Sequence, residues 1–243
     1  MGDFIAKEIS GDHNVILTHN GNEALKALKK YNIILVVTDV VMPVINGYEL
    51  CRQIKSNIES SHIPVILLTA TTNLNARIEG LDSGADAYIE KPFTTELLMA
   101  QIHNLIKNRS LDRQNFLNSP LAHFKSVAMN KTDEEFLKKL NFTLMDNISE
   151  NDLNVERIAD LMGFSISTLY RKVKALTDLN TVEYIRLVKL KKAAELLSEG
   201  NYRINEITYL VGFSSPSYFA TSFQKQFGIS PSQFARNISK NSS

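Results

Sequence analysis

The second half of this 243-residue chain contains one passage twice. Val155-Glu-Arg-Ile-Ala-Asp-Leu-Met-Gly-Phe-Ser165 corresponds to Ile204-Asn-Glu-Ile-Thr-Tyr-Leu-Val-Gly-Phe-Ser214, with Gly163 and Gly212 lying 49 positions apart. The correspondence continues at an offset of 50, pairing Leu169 with Phe219, Val173 with Phe223 and Tyr184 with Phe234. A duplicated pattern with apolar residues at helical spacing constrains the fold strongly, because both copies must bury the same face in the same way. Each copy reads as a short helix, a turn at Gly-Phe-Ser and a second helix. Glycine supplies the left-handed backbone that ends the first helix, and the phenylalanine after it can fill the core between the two. Ser165 can cap the second helix of the first copy, and Pro216 stands where a helix opening accepts a residue without an N–H. Upstream, Thr132 and Glu135 predict a capping box, followed by Phe136, Leu140 and Leu144 on one face. No strand is needed after Ile89.

A helix, a turn and a second helix form the layout of a helix-turn-helix, whose second helix can enter a DNA major groove. The first candidate reading helix offers Ser165, Ser167, Thr168, Arg171, Lys172 and Lys174 on its outer face. The second offers Ser215, Ser217, Tyr218, Thr221, Ser222 and Lys225. Hydroxyls can bond bases or phosphates, and arginine can bond guanine through two N–H groups. Between the copies, Val182 to Leu197 reads as one helix with Arg186, Lys189, Lys191 and Lys192 mostly outward. Such a rod would fix the two reading helices for adjacent groove segments, which lie ~34 Å apart on one face of a duplex. Residues 132–237 resemble the AraC/XylS-type DNA-binding domain through the two Gly-Phe-Ser turns, Leu169-Tyr170-Arg171-Lys172, and Phe227-Gly228-Ile229-Ser230-Pro231 with Phe234. They depart from it at Asp178 and Thr181, where the family has Gly and Pro, which predicts a less sharply turned end to the first reading helix. The alternative is a helical bundle whose repeat only packs.

The first half is built differently. Asn14 to Thr18, Ile33 to Thr38, Val65 to Thr69 and Ala87 to Ile89 read as short apolar strands bounded by turn formers. They alternate with helical patterns over Asn22 to Lys30, Tyr48 to Asn57, Asn75 to Ser83 and Thr95 to Lys107, which implies a parallel sheet covered on both faces. The charges divide likewise. Residues 1–110 carry 10 basic and 12 acidic side chains, net −2, whereas residues 165–243 carry 11 basic and 5 acidic, net +6. Whole-chain charge, +1, conceals this asymmetry. Arg109 to Lys131 mixes Ser, Asn and Pro120 without a sustained period, so the expected organisation is an α/β domain over 1–110, a linker over 111–131 and an all-α domain over 132–243. With 44% apolar and 22% charged residues the chain is globular, not disordered. Its single cysteine, Cys51, excludes an internal disulfide, and no apolar run is long enough to span a bilayer.

In a parallel α/β sheet, ligands bind beyond the carboxyl ends of the strands. Asp39 ends one strand, Thr69 the next, and Lys91 follows the third. An oxygen nucleophile, a hydroxyl donor and an ammonium at neighbouring strand ends suit attack by a carboxylate on phosphorus, where the charge of the moving phosphoryl oxygens must be offset. Each residue alone also has a purely structural explanation. The stretch resembles a CheY-like response-regulator receiver, a flavodoxin-like fold, through Thr38-Asp39-Val40-Val41-Met42-Pro43, Gly47-Tyr48-Glu49-Leu50, Pro64 to Ala70, Gly84 to Tyr88 and Lys91-Pro92-Phe93. The resemblance implies that Asp39 is the phosphoacceptor, that Thr69, Lys91 and Tyr88 sense the phosphoryl group, and that the Lys91-Pro92 bond is cis. Receivers open with a strand and an acidic pair that holds Mg²⁺, and here Met1 to Ile9 looks like the family's first helix. The expectation is therefore a receiver lacking its first strand, with Asp39 and the Val41 carbonyl left as an incomplete, weak Mg²⁺ site. The family strand order, 2-1-3-4-5, puts the absent strand inside the sheet.

Together the resemblances imply a bacterial, cytoplasmic two-component transcription regulator that binds double-stranded DNA, receives its phosphoryl group from a histidine kinase, forms a homodimer and makes no membrane contact. A receiver joined to an AraC-type domain also resembles the end of hybrid sensors, whose longer parent is anchored in the membrane. Two other readings remain. One is a phosphoaspartate hydrolase of the haloacid-dehalogenase type, which needs a second carboxylate two residues after the nucleophile, where this chain has Val41. The other is a receiver that only docks proteins, without phosphorylation.

Overall fold

The computed structural model describes residues 2–70, 79–80, 82–149 and 153–241. They fall into two compact units, 1–109 and 110–243.

In the first unit, helices α1 (Gly2–Ile9) and α2 (Gly21–Lys30) precede strand β1 (Val36–Asp39); α3 (Gly47–Ser56), β2 (Val65–Thr69) and β3 (Ala87–Glu90) follow, and α4 starts at Thr95. The three strands form a parallel sheet in the order β1-β2-β3, with Asp39 opposite Leu68 and Thr69 opposite Glu90. Strand β2 is buried along its whole length, as a central strand covered on both faces must be. One apolar layer packs Tyr48, Leu50, Cys51 and Ile54 beneath the sheet. The other packs Ile66, Leu68 and Ile89 against Leu98 and Ile102. Burial pushes the Cys51 thiol up, which leaves it a packing group and not a nucleophile.

Asn14–Thr18 is the exception: it is not a strand. Val15, Ile16 and Leu17 stay exposed, beside an apolar hollow of about 730 Å³ lined by Ile5, Leu28, Val36, Leu68 and Ile106 among others. A strand persists only where a neighbour takes its main-chain hydrogen bonds, and the neighbour that the family order puts between this segment and β1 is not among the described residues. Part of the expected helix Asn75 to Ser83 lies outside those residues.

Helix α4 (Thr95–Asn118) runs well past Lys107. Nothing in its sequence breaks a helix before Pro120. Residues 111–131, expected as a linker, fall within the second unit, where Phe116 and Val127 are both essentially buried. A 3-10 turn (Phe124–Val127) leads to α5 (Lys131–Asp146), α6 (Val155–Met162), α7 (Ile166–Thr177), α8 (Thr181–Glu199), α9 (Ile204–Leu210), α10 (Pro216–Phe227) and α11 (Pro231–Asn241).

The duplication extends further than the Gly-Phe-Ser passages show. Asn130 and Asn180 cap α5 and α8, accepting from the Asp133 and Glu183 N–H groups, and Ser230 accepts from the Gln233 N–H ahead of α11. These caps fall 50 residues apart each time. Asn130, not Thr132, caps α5, so the expected capping box lies two residues too late. Lys139 donates to the Met162 carbonyl at 2.7 Å and Lys189, 50 positions later, to the Gly212 carbonyl at 3.1 Å, each tying a turn to its supporting helix. Helix α8 is the hub. It buries Tyr184, Leu187, Leu190, Ala194 and Leu197 on different sides, so it lacks a single apolar face. Around its second half Phe213, Phe219, Phe223 and Phe234 pack edge to face at 5.4–5.8 Å between ring centroids.

Candidate functional site

At the carboxyl end of the sheet, Asp39 stands at the last position of β1 and Lys91 one residue beyond β3. Their side chains form an ion pair, and the other Asp39 oxygen accepts the Val41 N–H at 3.1 Å. Thr69, at the end of β2, is buried, and its backbone carbonyl accepts the Lys91 N–H at 2.8 Å. The three residues named from the sequence are thus brought to one sheet edge, and the Lys91-Pro92 bond is cis. Tyr88 lies in β3, where burial pushes its phenol up to about 12.

The loop after Asp39 is shaped by a close approach. A Cβ on Gly47 would stand 2.3 Å from the Asp39 carbonyl oxygen, so only glycine lets α3 begin this near the acceptor loop. Val44, in the same loop, has φ +71°, a conformation that costs a β-branched residue about 1–3 kcal/mol, and its side chain is 79% exposed with little packing to offset that cost. Val44→Gly is accordingly expected to raise the stability of the α/β unit by about 1 kcal/mol in urea denaturation, and an unchanged midpoint would show that the loop relaxes freely.

Behind this edge, Asp86 organises the start of β2. It accepts from Lys55 at 2.6 Å, from the Val65 N–H at 2.8 Å and from Arg109 at 3.3 Å, while Lys55 also donates to the Ile63 carbonyl at 2.8 Å. No sequence motif announced Lys55 and Arg109; only their spacing in space reveals the network.

Both Asp39 oxygens are engaged, and among the described residues no group of three His, Cys, Asp or Glu could hold a metal. Mg²⁺ prefers six oxygens in a near-octahedral shell, which Asp39 and the Val41 carbonyl alone do not provide.

The second constellation is the outer face of α7 and α10. Ser165 and Ser215 are the N-caps of these helices, accepting from the Thr168 and Tyr218 N–H groups, so their hydroxyl oxygens are partly committed to the backbone. Ser167, Arg171, Lys174, Ser217, Tyr218, Thr221 and Lys225 are exposed, and Thr168 and Ser222 partly so. Lys172 is not on this face. Its side chain is fully buried and paired with the equally buried Asp133, because position 172 points at the first turn of α5. Lys174 is exposed but engaged, bridging to Asp178 at 2.8 Å; that contact holds the Asp178 carboxyl below the usual range and raises the Lys174 ammonium. Asp178 itself closes α7 at φ 62°, so the first reading helix ends as sharply as a glycine would end it. Lys191, expected outward, is buried as well.

The response regulator receiver domain family matches residues 3–103, and a helix-turn-helix domain family matches residues 158–237. Over 190 residues the chain is 31% identical to a Porphyra purpurea protein named "Probable transcriptional regulator ycf29", covering 76% of this chain and 87% of that one. The chain belongs to the response regulators. Within them it joins a receiver with a flavodoxin-like parallel sheet to an AraC-type helix-turn-helix unit. This response regulator is also 38% identical over 237 residues to Histidine kinase P4 of Formosa agariphila, an alignment that takes in 98% of this chain and only 17% of the other. Among solved structures, the receiver domain of a signal transduction histidine kinase from Syntrophus aciditrophicus shares 30% identity at a TM-score of 0.42, over 43% of this chain and 80% of that one. No helix among the described residues is long and apolar enough to cross a membrane.

Proposed function

We propose that this response regulator binds specific double-stranded DNA through α7 and α10 and is controlled by phosphorylation of Asp39 by a histidine kinase. The observation that carries the second part is the Asp39–Lys91 pair at the sheet edge next to Thr69. An Asp39 carboxylate oxygen attacks the phosphorus of a phosphohistidine, the P–N bond breaks, and the imidazole keeps the electron pair and takes up a proton. Lys91 offsets the charge of the transferred oxygens and the Thr69 hydroxyl donates to one of them. Tyr88 then reads the new group through its packing. In this chain alone the transfer is slow, because the donor set of Asp39 and the Val41 carbonyl does not suit Mg²⁺. A hydrolase would need a carboxylate where Val41 stands, with its side chain 79% exposed to solvent.

Incubation with acetyl phosphate and Mg²⁺, followed by intact-mass measurement, tests the assignment. The expected result is partial gain of one phosphoryl group by the unaltered chain and none by Asp39→Asn. Equal gain by both would move the acceptor elsewhere, and complete conversion of the unaltered chain would refute the slow transfer.

For DNA, the exposed hydroxyls on α7 and α10 and the Arg171 guanidinium supply contacts to bases and phosphates. Lys172 is withdrawn from the contact set by its burial. Against a duplex enriched from a random library by the chain itself, Arg171→Ala is expected to bind about tenfold more weakly, the scale of one lost base contact. Unchanged affinity at physiological salt would mean that α7 presents another face.

A further inference from the structure

Two polar ties join the reading helices to one turn of the segment that precedes the helical core. Arg113 donates from Nε to the Leu176 carbonyl at 3.1 Å and from its guanidinium terminus to the Ala175 carbonyl, at the last turn of α7. Carbonyls there have no partner inside their own helix, so an arginine is a fitting donor. Gln226, in the last turn of α10, donates to the Leu117 carbonyl at 2.9 Å. Leu176 and Gln226 lie 50 residues apart, which makes them the same position of the two copies. Equivalent ends of both reading helices are therefore fastened to Arg113–Leu117, a stretch about one helical turn long.

A third tie holds the rod between the copies. Lys191 of α8 donates to the carbonyls of Ser119 and Ala122 at 2.6 and 3.1 Å, and its ammonium sits 4.5 Å from the Phe116 ring centroid. Phe116 is 1% exposed and stacks on Tyr184 at 6.3 Å. These contacts add to the packing on α8 and to the contact of Ile148 with the second copy.

We infer that Arg113–Ala122 is a brace that sets the distance between the two reading helices and thereby the spacing of the DNA segments they accept. Arg113, Gln226 and Lys191 are positioning residues, which act on DNA through α7 and α10. The inference rests on the DNA reading of those helices.

The test uses the full chain and a duplex it has enriched from a random library, together with the same duplex lengthened by about five base pairs between its two contacted halves, half a turn of DNA. The unaltered chain is expected to bind the lengthened duplex at least about tenfold more weakly. The Arg113→Ala/Gln226→Ala variant is expected to bind the parent duplex more weakly and to distinguish the two by less than about threefold, with its helical circular dichroism unchanged. A merely structural role would weaken binding to both duplexes alike and leave the ratio between them intact, which would overturn the inference. Should the double variant fail to fold, Gln226→Ala alone, at a half-buried site, gives the same ratio measurement. If the unaltered chain enriches no sequence, the DNA reading itself falls. If it enriches one but tolerates the insertion, only the brace is refuted.

Discussion

Asp133→Ala is expected to lower the stability of the helical unit by about 3–5 kcal/mol in equilibrium denaturation followed by circular dichroism. The pair it breaks has both side chains fully buried, with Lys172 donating to one Asp133 oxygen and Asn130 Nδ2 to the other at 3.2 Å. Removing the carboxylate takes away the opposite charge that Lys172 is paired with in the buried core, and the desolvation penalty of the ammonium is then less well compensated. Replacing both partners with apolar residues, Asp133→Leu with Lys172→Met, should recover most of the loss, because the penalty falls on the unmatched charge and not on the missing attraction. A single variant as stable as the unaltered chain would place water or another group beside Lys172. The same experiment separates packing from DNA contact: the double apolar variant keeps its DNA affinity if Lys172 has no outward role.

Gly212→Ala and Gly163→Ala differ sharply although they sit at matched turns of the two copies. Both glycines have φ near +70°, which costs alanine about 1–2 kcal/mol. At Gly163 a Cβ would meet nothing within 4 Å, so the backbone cost is the whole cost. At Gly212 it would stand 2.3 Å from the Ile148 carbonyl oxygen and 2.7 Å from the Lys189 ammonium, which already donates to the Gly212 carbonyl. The lysine tip can swing away, but the Ile148 backbone must move, adding about 1–3 kcal/mol of overpacking. Urea denaturation of the two variants should therefore show Gly212→Ala as the more damaging by at least about 1 kcal/mol. Equal losses would show that the Ile148 segment yields without strain.

The readable parts of the chain were those whose signal is local. Val65–Thr69 is a strand in the sequence and in the structure, with the same limits, because four apolar residues and a β-branched threonine after Pro64 have few other ways to fold. The Asp39, Thr69 and Lys91 trio was legible because strand ends in a parallel sheet converge at one edge. Where the outcome depended on distant partners, the sequence was silent or misleading. Asn14–Thr18 has a strand's composition but pairs with no strand among the described residues. Ser110 to Asn118 looked aperiodic, yet Phe116 docks beside Tyr184 and the helix continues. Helical position places Lys172 and Lys191 outward, but each is buried against acceptors that lie 39 and about 70 residues away in the chain. The Asp178 cap shows the reverse case: a departure from the family glycine that the backbone absorbs, since aspartate tolerates the left-handed region.

Helix caps that recur at Asn130, Asn180 and Ser230 start three helices in the same phase. An in-frame loss or gain of one whole period between these points would join like to like and leave no helix without its opening residue. Tandem readers built on such a modulus can change their number of heads by simple recombination, while any insertion of another length must create a frayed end.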